Sequence, residues 1–226
     1  MHDPCISVSA VIRASPPASL PVRDRTTDWL KGGKQPYTVE EAQFRIDRLK
    51  TMRSRLSAAY KGVNALLMRE GAKDFLTGDR FDQTSFFGWG VDIHHIFPQA
   101  WCRSHGLKPD VFDSIINKTP LTFQTNRKIG GNAPSSYLAA IERGTDKDPA
   151  IPRAALDTFL TSHLVNPDLL RSDNFDEFMI DRQQKLATLI GRAIGHEALL
   201  VPEEEEGEIV ELEGVLEEAE MTLVAN

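Results

Sequence analysis

The sequence predicts a mostly α-helical domain with a small β-hairpin set into it. Two observations carry this. Apolar residues recur at helical spacing over two long stretches, 42–67 and 175–194. Between them lie two short stretches read as strands, Val91 to Phe97, which alternates, and Pro120 to Phe123.

Residues 1–36 are expected to be poorly ordered, since Ser15-Pro16-Pro17, Pro21 and Gly32-Gly33 interrupt them and no periodicity is sustained. A long helix is expected to begin at Thr38. Thr38 and Glu41 have the spacing of a capping box, and Ala42, Ile46, Leu49, Leu56, Tyr60, Val63 and Leu67 form the stripe. Gly71 is placed to end it. Arg45, Arg48, Lys50, Arg53 and Arg55 fall mostly off the stripe. They form either a phosphate-binding face or, the favoured reading, a solvated one.

Residues 72–90 read as a turn-rich connector whose aromatics serve packing. A short helix is expected over Gln99 to Gly106. Another opens at Asn132-Ala133-Pro134 and ends at Gly144. Two more are expected near 152–164 and 174–195, the second capped by Ser172 or Asp173 and closed by Gly195. The organisation is thus a loose N-terminal segment, a helical domain over 37–198 and an acidic tail over 199–226.

The chain has 226 residues, 41% hydrophobic and 26% charged, a composition that supports a real core. No apolar run approaches the roughly 20 residues that cross a bilayer. The start is a poor signal peptide: Ser7 and Ser9 interrupt Ile6 to Ile12, and His2 and Asp3 replace a basic end. A cytoplasmic protein without membrane partners is expected. The two cysteines, Cys5 and Cys102, read as free thiols, so any metal is held by His, Asn or carboxylate groups. The net charge is −7, but residues 200–226 hold ten glutamates and no Lys or Arg; without these glutamates it becomes +3. The body is therefore mildly basic and compatible with a polyanionic substrate. The tail is read as solubilising, ahead of a partner-binding arm or a DNA-mimicking inhibitor.

The chemistry concentrates in 91–138. His94 and His95 are adjacent on a short strand and point to opposite faces, so one can serve a metal while the other faces a substrate. That division suits phosphodiester hydrolysis, which needs a base for water and a cation for developing charge. Neutral imidazole fits the base role, with an ordinary pKa of about 6.5. Asn126 follows a strand at the start of a helix, where its carbonyl is a hard oxygen ligand for Mg²⁺. Arg127 and Lys128 come next and are candidates for the phosphate oxygens. Asp92 is either an additional metal ligand or a polar strand residue. Gly130-Gly131 serve close phosphate approach or simply a turn. Ser135 and Ser136 offer either an anion-binding helix start or plain capping. His105, His163 and His196 are expected at the surface.

These residues resemble an HNH, or ββα-metal, nuclease motif. DIHHIFP (92–98) is similar to its opening, DSIINK (113–118) to its middle and TNR (125–127) to its closing helix. The resemblance implies His94 as a metal ligand, His95 as general base, Asn117 as the residue that ties down the loop and helps place the base, and Asn126 as a second metal ligand. The middle and closing segments also resemble the HNH domain of RNA-guided DNA nucleases. The wider stretch from about Ala42 to Ile194 is similar to the C-terminal HNH domain of GmrSD-like, modification-dependent restriction endonucleases. The phrases ALLMREGAKDFLTG (65–78), INKTPLTFQTNRKIGGNAPSSYL (116–138) and FDEFMIDRQQKLATLI (175–190) carry it.

The resemblance implies hydrolysis of DNA with a divalent ion, Mg²⁺ first and Mn²⁺, Ni²⁺ or Zn²⁺ as other candidates, in restriction or anti-phage defence. The family's NTP-hydrolysing domain carries a D-G-Q-Q-R-type motif that this chain lacks, so a separate NTPase or specificity subunit is a candidate partner. The alternatives are a catalytically incomplete DNA-binding subunit or remnant, and a nucleic-acid-degrading toxin.

Overall fold

The computed structural model describes residues 27–29, 31–81, 92–146 and 148–199. The acidic tail beyond Leu199, most of the N-terminal segment, and Phe86, Phe87, Trp89 and Val91 lie outside them. The chain divides into two units, Met1–Ala42 and Gln43–Asn226.

In the first unit, a tight turn brings the Gly33 N–H to the Asp28 carbonyl at 2.8 Å. One helical turn, α1 (Tyr37–Glu40), follows Pro36.

The second unit is mostly α-helical with a two-stranded antiparallel sheet. Its elements are α2 (Arg48–Thr51), α3 (Ala58–Arg69), β1 (Asp92–His95), α4 (Gln99–Ser104) and α5 (Pro109–Phe112). A 3₁₀ turn (Ile115–Asn117), β2 (Lys118–Leu121) and α6 (Phe123–Ile129) come next. Then follow α7 (Pro134–Arg143), α8 (Arg153–Thr161), α9 (Pro167–Arg171) and α10 (Phe175–Ile194).

The long helix expected from Thr38 is instead three pieces, and Thr38 lies inside the first rather than capping it. Long-range pairing breaks the run. Ile46 N–H donates to the Leu199 carbonyl at 3.0 Å and Leu199 N–H to that of Phe44 at 2.8 Å. Met52 gives its carbonyl to Ile115 N–H at 2.9 Å. Ser57 then starts α3 afresh by accepting from Tyr60 N–H. The stripe still becomes core at Ile46, Leu49, Tyr60, Val63 and Leu67, while Leu56, between two pieces, is 84% exposed. Gly71 ends α3 with a φ of 94°.

The second strand begins two residues earlier than expected and stops at Leu121, because the Thr122 hydroxyl accepts from Thr125 N–H and turns the chain into α6. The hairpin register pairs Asp92 with Leu121, Ile93 with Pro120, His94 with Thr119 and His95 with Lys118. Pro120 is tolerated because both strands of a two-stranded sheet are edges. Helix α9 has no counterpart in the expected elements; Asn166 caps it and Pro167 occupies its first turn. Asn174, not Ser172 or Asp173, caps α10. Asp173 adopts a φ of 51° and turns its carboxylate to Ser135 of α7, accepting from the N–H at 2.8 Å and the hydroxyl at 2.6 Å.

Two apolar clusters flank the hairpin. One gathers Phe97, Phe112, Leu121, Leu138, Leu156 and Phe178. The other gathers Leu49, Val63, Leu67, Ile93, Ile116 and Leu186. Helix α10 runs through both, with Phe175 and Phe178 in the first and Leu186, Leu189 and Ile190 in the second. Each such side chain contributes about 1.5–3 kcal/mol on burial.

Among these apolar residues sits Arg182, fully buried and without a carboxylate partner among the described residues. Its Nη1 donates to the carbonyls of Ile116, Lys118 (2.8 Å) and Ile115 (3.4 Å), and its Nε to that of His163 (3.2 Å). Burial pushes the guanidinium down to about 9, so it remains charged near neutral pH. The carbonyl dipoles take the place of a counter-ion.

His163 is the clearest departure from expectation. It is fully buried rather than at the surface. Its Nδ1 lies 2.5 Å from the Thr119 hydroxyl and its Nε2 2.7 Å from the Lys73 carbonyl. Rings of Phe75 and Phe81 meet it edge-on. Burial holds it neutral, with a pKa pushed down to about 4.

Arg182→Leu should lower stability by roughly 3 kcal/mol or more, since several carbonyls lose their donor inside the core; the urea midpoint reads it. For His163 the folded pKa is depressed, so the unfolded chain binds more protons between its ordinary value and about 4, and stability falls as pH drops through that window. From about pH 7 to about pH 5.5 the loss should be about 1 kcal/mol. Urea unfolding of His163→Gln should show that much less pH dependence than wild type; equal dependence contradicts the assignment.

Candidate active site

The hairpin and the helix after it bring the predicted residues into one strand–strand–helix unit. Strand β1 carries His94 and His95 side by side, and the cross-strand pairing puts His94 on the face of Thr119 and His95 on that of Lys118. Helix α6 carries Asn126 and Arg127. Asp92 heads β1, but its side chain lies outside the described part of the structure.

Asn117 is fully buried at the junction of the 3₁₀ turn and β2. Its Oδ1 accepts from Phe97 N–H at 2.8 Å, and its Nδ2 donates to the carbonyls of Phe97 (3.0 Å) and Phe112 (3.1 Å). The Ile96 N–H donates to Asn117's own carbonyl at 2.9 Å. One carboxamide thus fixes the chain just after His95 to the far end of the loop.

His95 is mostly buried. Its Nε2 lies 2.9 Å from Asp113 Oδ1, and Lys118 Nζ lies 2.7 Å from the same oxygen. Burial lowers the imidazole pKa; the Asp113 hydrogen bond opposes this, and the Lys118 and Arg55 charges add to it. For Asp113 burial pushes upward, but hydrogen bonds from Lys118 and His95 outweigh it and hold the carboxyl below its ordinary value. Arg55 donates to the Ile93 carbonyl at 2.8 Å, two residues before His95.

Helix α6 is fastened by Asp74, which is 1% exposed. Its carboxylate accepts from Thr122 N–H (3.0 Å), the Thr122 hydroxyl (2.9 Å) and the Thr125 hydroxyl (2.5 Å), as well as from Leu76 and Thr77 N–H. The aspartate therefore sets where α6 starts and hence where Asn126 sits. The Asn126 carboxamide is half-buried and makes no hydrogen bond among the described residues. Arg127 is exposed, its guanidinium 5.5 Å from the Phe123 ring centre. Lys128 is engaged elsewhere: its Nζ is 2.9 Å from Asp148 Oδ2 and holds that carboxyl below its ordinary value. The Ser135 N–H is likewise taken, by Asp173.

Sequence reading missed Asp74, Asp113, Lys118 and Arg182. For Asp74 a signal existed, since an Asp two and three residues ahead of N–H groups it can accept from is a common turn device. Asp113 and Lys118 lay inside the recognised segment, but their contact with His95 depends on strand register.

A metal centre at these positions would draw on an imidazole nitrogen from His94 and an amide oxygen from Asn126. The amide oxygen suits Mg²⁺ or Mn²⁺ and the imidazole suits softer ions such as Ni²⁺ or Zn²⁺, while a carboxylate from Asp92 would add a hard oxygen. Among the described residues no group of three or more His, Cys, Asp or Glu side chains could hold a metal ion. A centre here depends on Asn126 and on Asp92.

No protein-family model matches the chain, and no solved structure matches it. It is similar to an uncharacterized protein of Methanocaldococcus jannaschii, with 29% identity over 153 residues. The match covers 63% of this chain and 25% of that protein, so the chain spans about a quarter of the length of the curated relative it matches.

Asn117→Ala should cost roughly 2–4 kcal/mol by orphaning buried groups of Phe97 and Phe112. The Phe97 amide should exchange with solvent faster than neighbouring strand amides; unchanged protection there would contradict the clamp.

Proposed function

We propose that this chain is an HNH-type endonuclease that hydrolyses DNA phosphodiester bonds with the help of a divalent metal ion. One observation carries the reading: an asparagine, Asn117, buried in the hairpin, clamps the backbone beside His95, while the helix that follows the hairpin carries Asn126. A hairpin, a clamped histidine and a helix-borne amide oxygen suit hydrolysis of a phosphodiester better than they suit packing alone.

In this reading His95 is the general base. Its lowered pKa keeps the ring neutral near pH 7, ready to take a proton from water as that oxygen attacks phosphorus. The new oxygen–phosphorus bond forms as the bond to the leaving oxygen breaks, and that oxygen takes a proton from solvent. Exposed Arg127 is the candidate for a phosphate oxygen; Lys128 reaches one only by giving up Asp148. His94 and Asn126, with Asp92, would hold the ion. When bound, it supplies electrostatic stabilisation of the charge that develops on the phosphate and the leaving oxygen.

DNA as substrate, a restriction or anti-phage setting, and a separate NTPase or specificity subunit as partner follow from the resemblance to GmrSD-like enzymes. The mildly basic body is compatible with that substrate. No helix among the described residues is long and apolar enough to cross a membrane; a cytoplasmic location belongs to the same proposal.

Purified protein should nick or linearise supercoiled plasmid in Mg²⁺ or Mn²⁺ and not in EDTA. His95→Ala should lose about 10²–10⁴-fold of that rate while still binding DNA. Absence of metal-dependent cleavage on plain and base-modified plasmid alike, with the partner NTPase supplied, would sink the proposal.

A further inference from the structure

We infer that Asp113 and Lys118 are positioning residues for His95: the pair fixes which ring nitrogen carries the proton and leaves the other as the base. This rests on the nuclease reading of His95 and adds residues that the resemblance does not assign.

The geometry has three parts. First, Asp113 Oδ1 is 2.9 Å from His95 Nε2. An ionised carboxylate has no proton to give, so the proton of this hydrogen bond sits on Nε2. A neutral ring then carries its lone pair on Nδ1, the nitrogen left to accept a proton from water. Second, Lys118 is the direct cross-strand neighbour of His95 and its ammonium lies 2.7 Å from the same carboxylate oxygen. Lys118 is only 6% exposed, against 34% for Asp113. A buried ammonium needs a counter-charge, and here that need pins the carboxylate where the ring requires it. Third, both supports of the pair are tied together. The Asn117 carboxamide binds the backbone of Phe97, two residues beyond His95, and the carbonyl of Phe112, the residue before Asp113. The loop-tying asparagine thus sets the spacing between a base and its orienting acid.

The arrangement has the logic of any acid–imidazole pair: the carboxylate holds tautomer and ring orientation, and stabilises the imidazolium once the proton has moved. Covalent chemistry is unchanged by it. The proton taken from water rests on Nδ1, and the Nε2 proton stays in the hydrogen bond to Asp113.

The test reads the ring itself. Histidine side chains labelled with ¹⁵N report the tautomer through their nitrogen shifts, with His95 identified by its loss in His95→Gln, in EDTA and at a pH where the ring is neutral. Wild type should show the Nε2–H form. Asp113→Ala should lose that preference. So should the double variant Asp113→Ala with Lys118→Met, which removes the ammonium left unpaired and keeps the fold testable. Both should cut saturating plasmid roughly 10–100-fold more slowly in single turnover, with DNA affinity unchanged. Retention of the Nε2–H form without Asp113, or wild-type cleavage rates in the double variant, overturns the inference. A wild type that cuts neither plain nor base-modified plasmid, with the partner NTPase supplied, overturns the nuclease reading instead, and the nitrogen shifts still decide whether Asp113 sets the ring.

Discussion

A single buried guanidinium organises the region on which the rest depends. Arg182 enters the core from the middle of α10 and finds no carboxylate among the described residues, only the carbonyls of Ile115, Ile116, Lys118 and His163. A buried charge of this kind needs acceptors around it, and Nη1 finds them in the carbonyls of Ile115, Ile116 and Lys118, which ties the backbone around the 3₁₀ turn to α10. Because Asn117 and Lys118 lie in that segment, the clamp on the loop and the ammonium beside Asp113 are positioned from below by α10. Helix α10 thereby holds a segment that lies more than sixty residues earlier in the chain.

A second support enters from the other side. Asp74, in the connector after α3, gathers the Thr122 and Thr125 groups that begin α6. His163, from the end of α8, meets Thr119 of β2 on the face it shares with His94. The hairpin is only four residues per strand and would be marginal alone. Buried polar groups from three distant segments hold it, and apolar clusters on both flanks exclude water from those hydrogen bonds. This explains why so many buried polar residues surround such a small sheet. Asp74, Asn117, His163 and Arg182 are each hydrogen-bonded to the hairpin or to the segments beside it.

Much of this is legible from sequence, and the failures share a cause. The helical stripe of α10, the glycines that end α3, α7 and α10, and the hairpin in a helical setting follow from periodicity and turn chemistry, which are local. The break of the first long helix does not, because it comes from pairing of Phe44 and Ile46 with Leu199. The cap of α10 was misplaced for a similar reason: Asp173 is drawn to Ser135 of α7, and Asn174 takes over. His163 looked like a surface residue because nothing in its neighbourhood announces the carbonyl of Lys73 or the hydroxyl of Thr119. At the candidate site, the motif picked out His94, His95, Asn117 and Asn126. It did not show that Lys128 is bound to Asp148, nor that Asp113 reaches His95. Register decides such contacts, and spacing in sequence does not encode register directly.

On the proposed reading, the hairpin and α6 would form a divalent-metal centre beside a base. Paramagnetic broadening by Mn²⁺ tests it without any substrate. In ¹⁵N-labelled protein, small additions of Mn²⁺ should broaden the side-chain signals of His94 and Asn126 first and His95 with them, and His94→Ala should abolish this pattern. Broadening confined to the glutamate-rich tail, with the His94 and Asn126 signals sharp, would contradict the account.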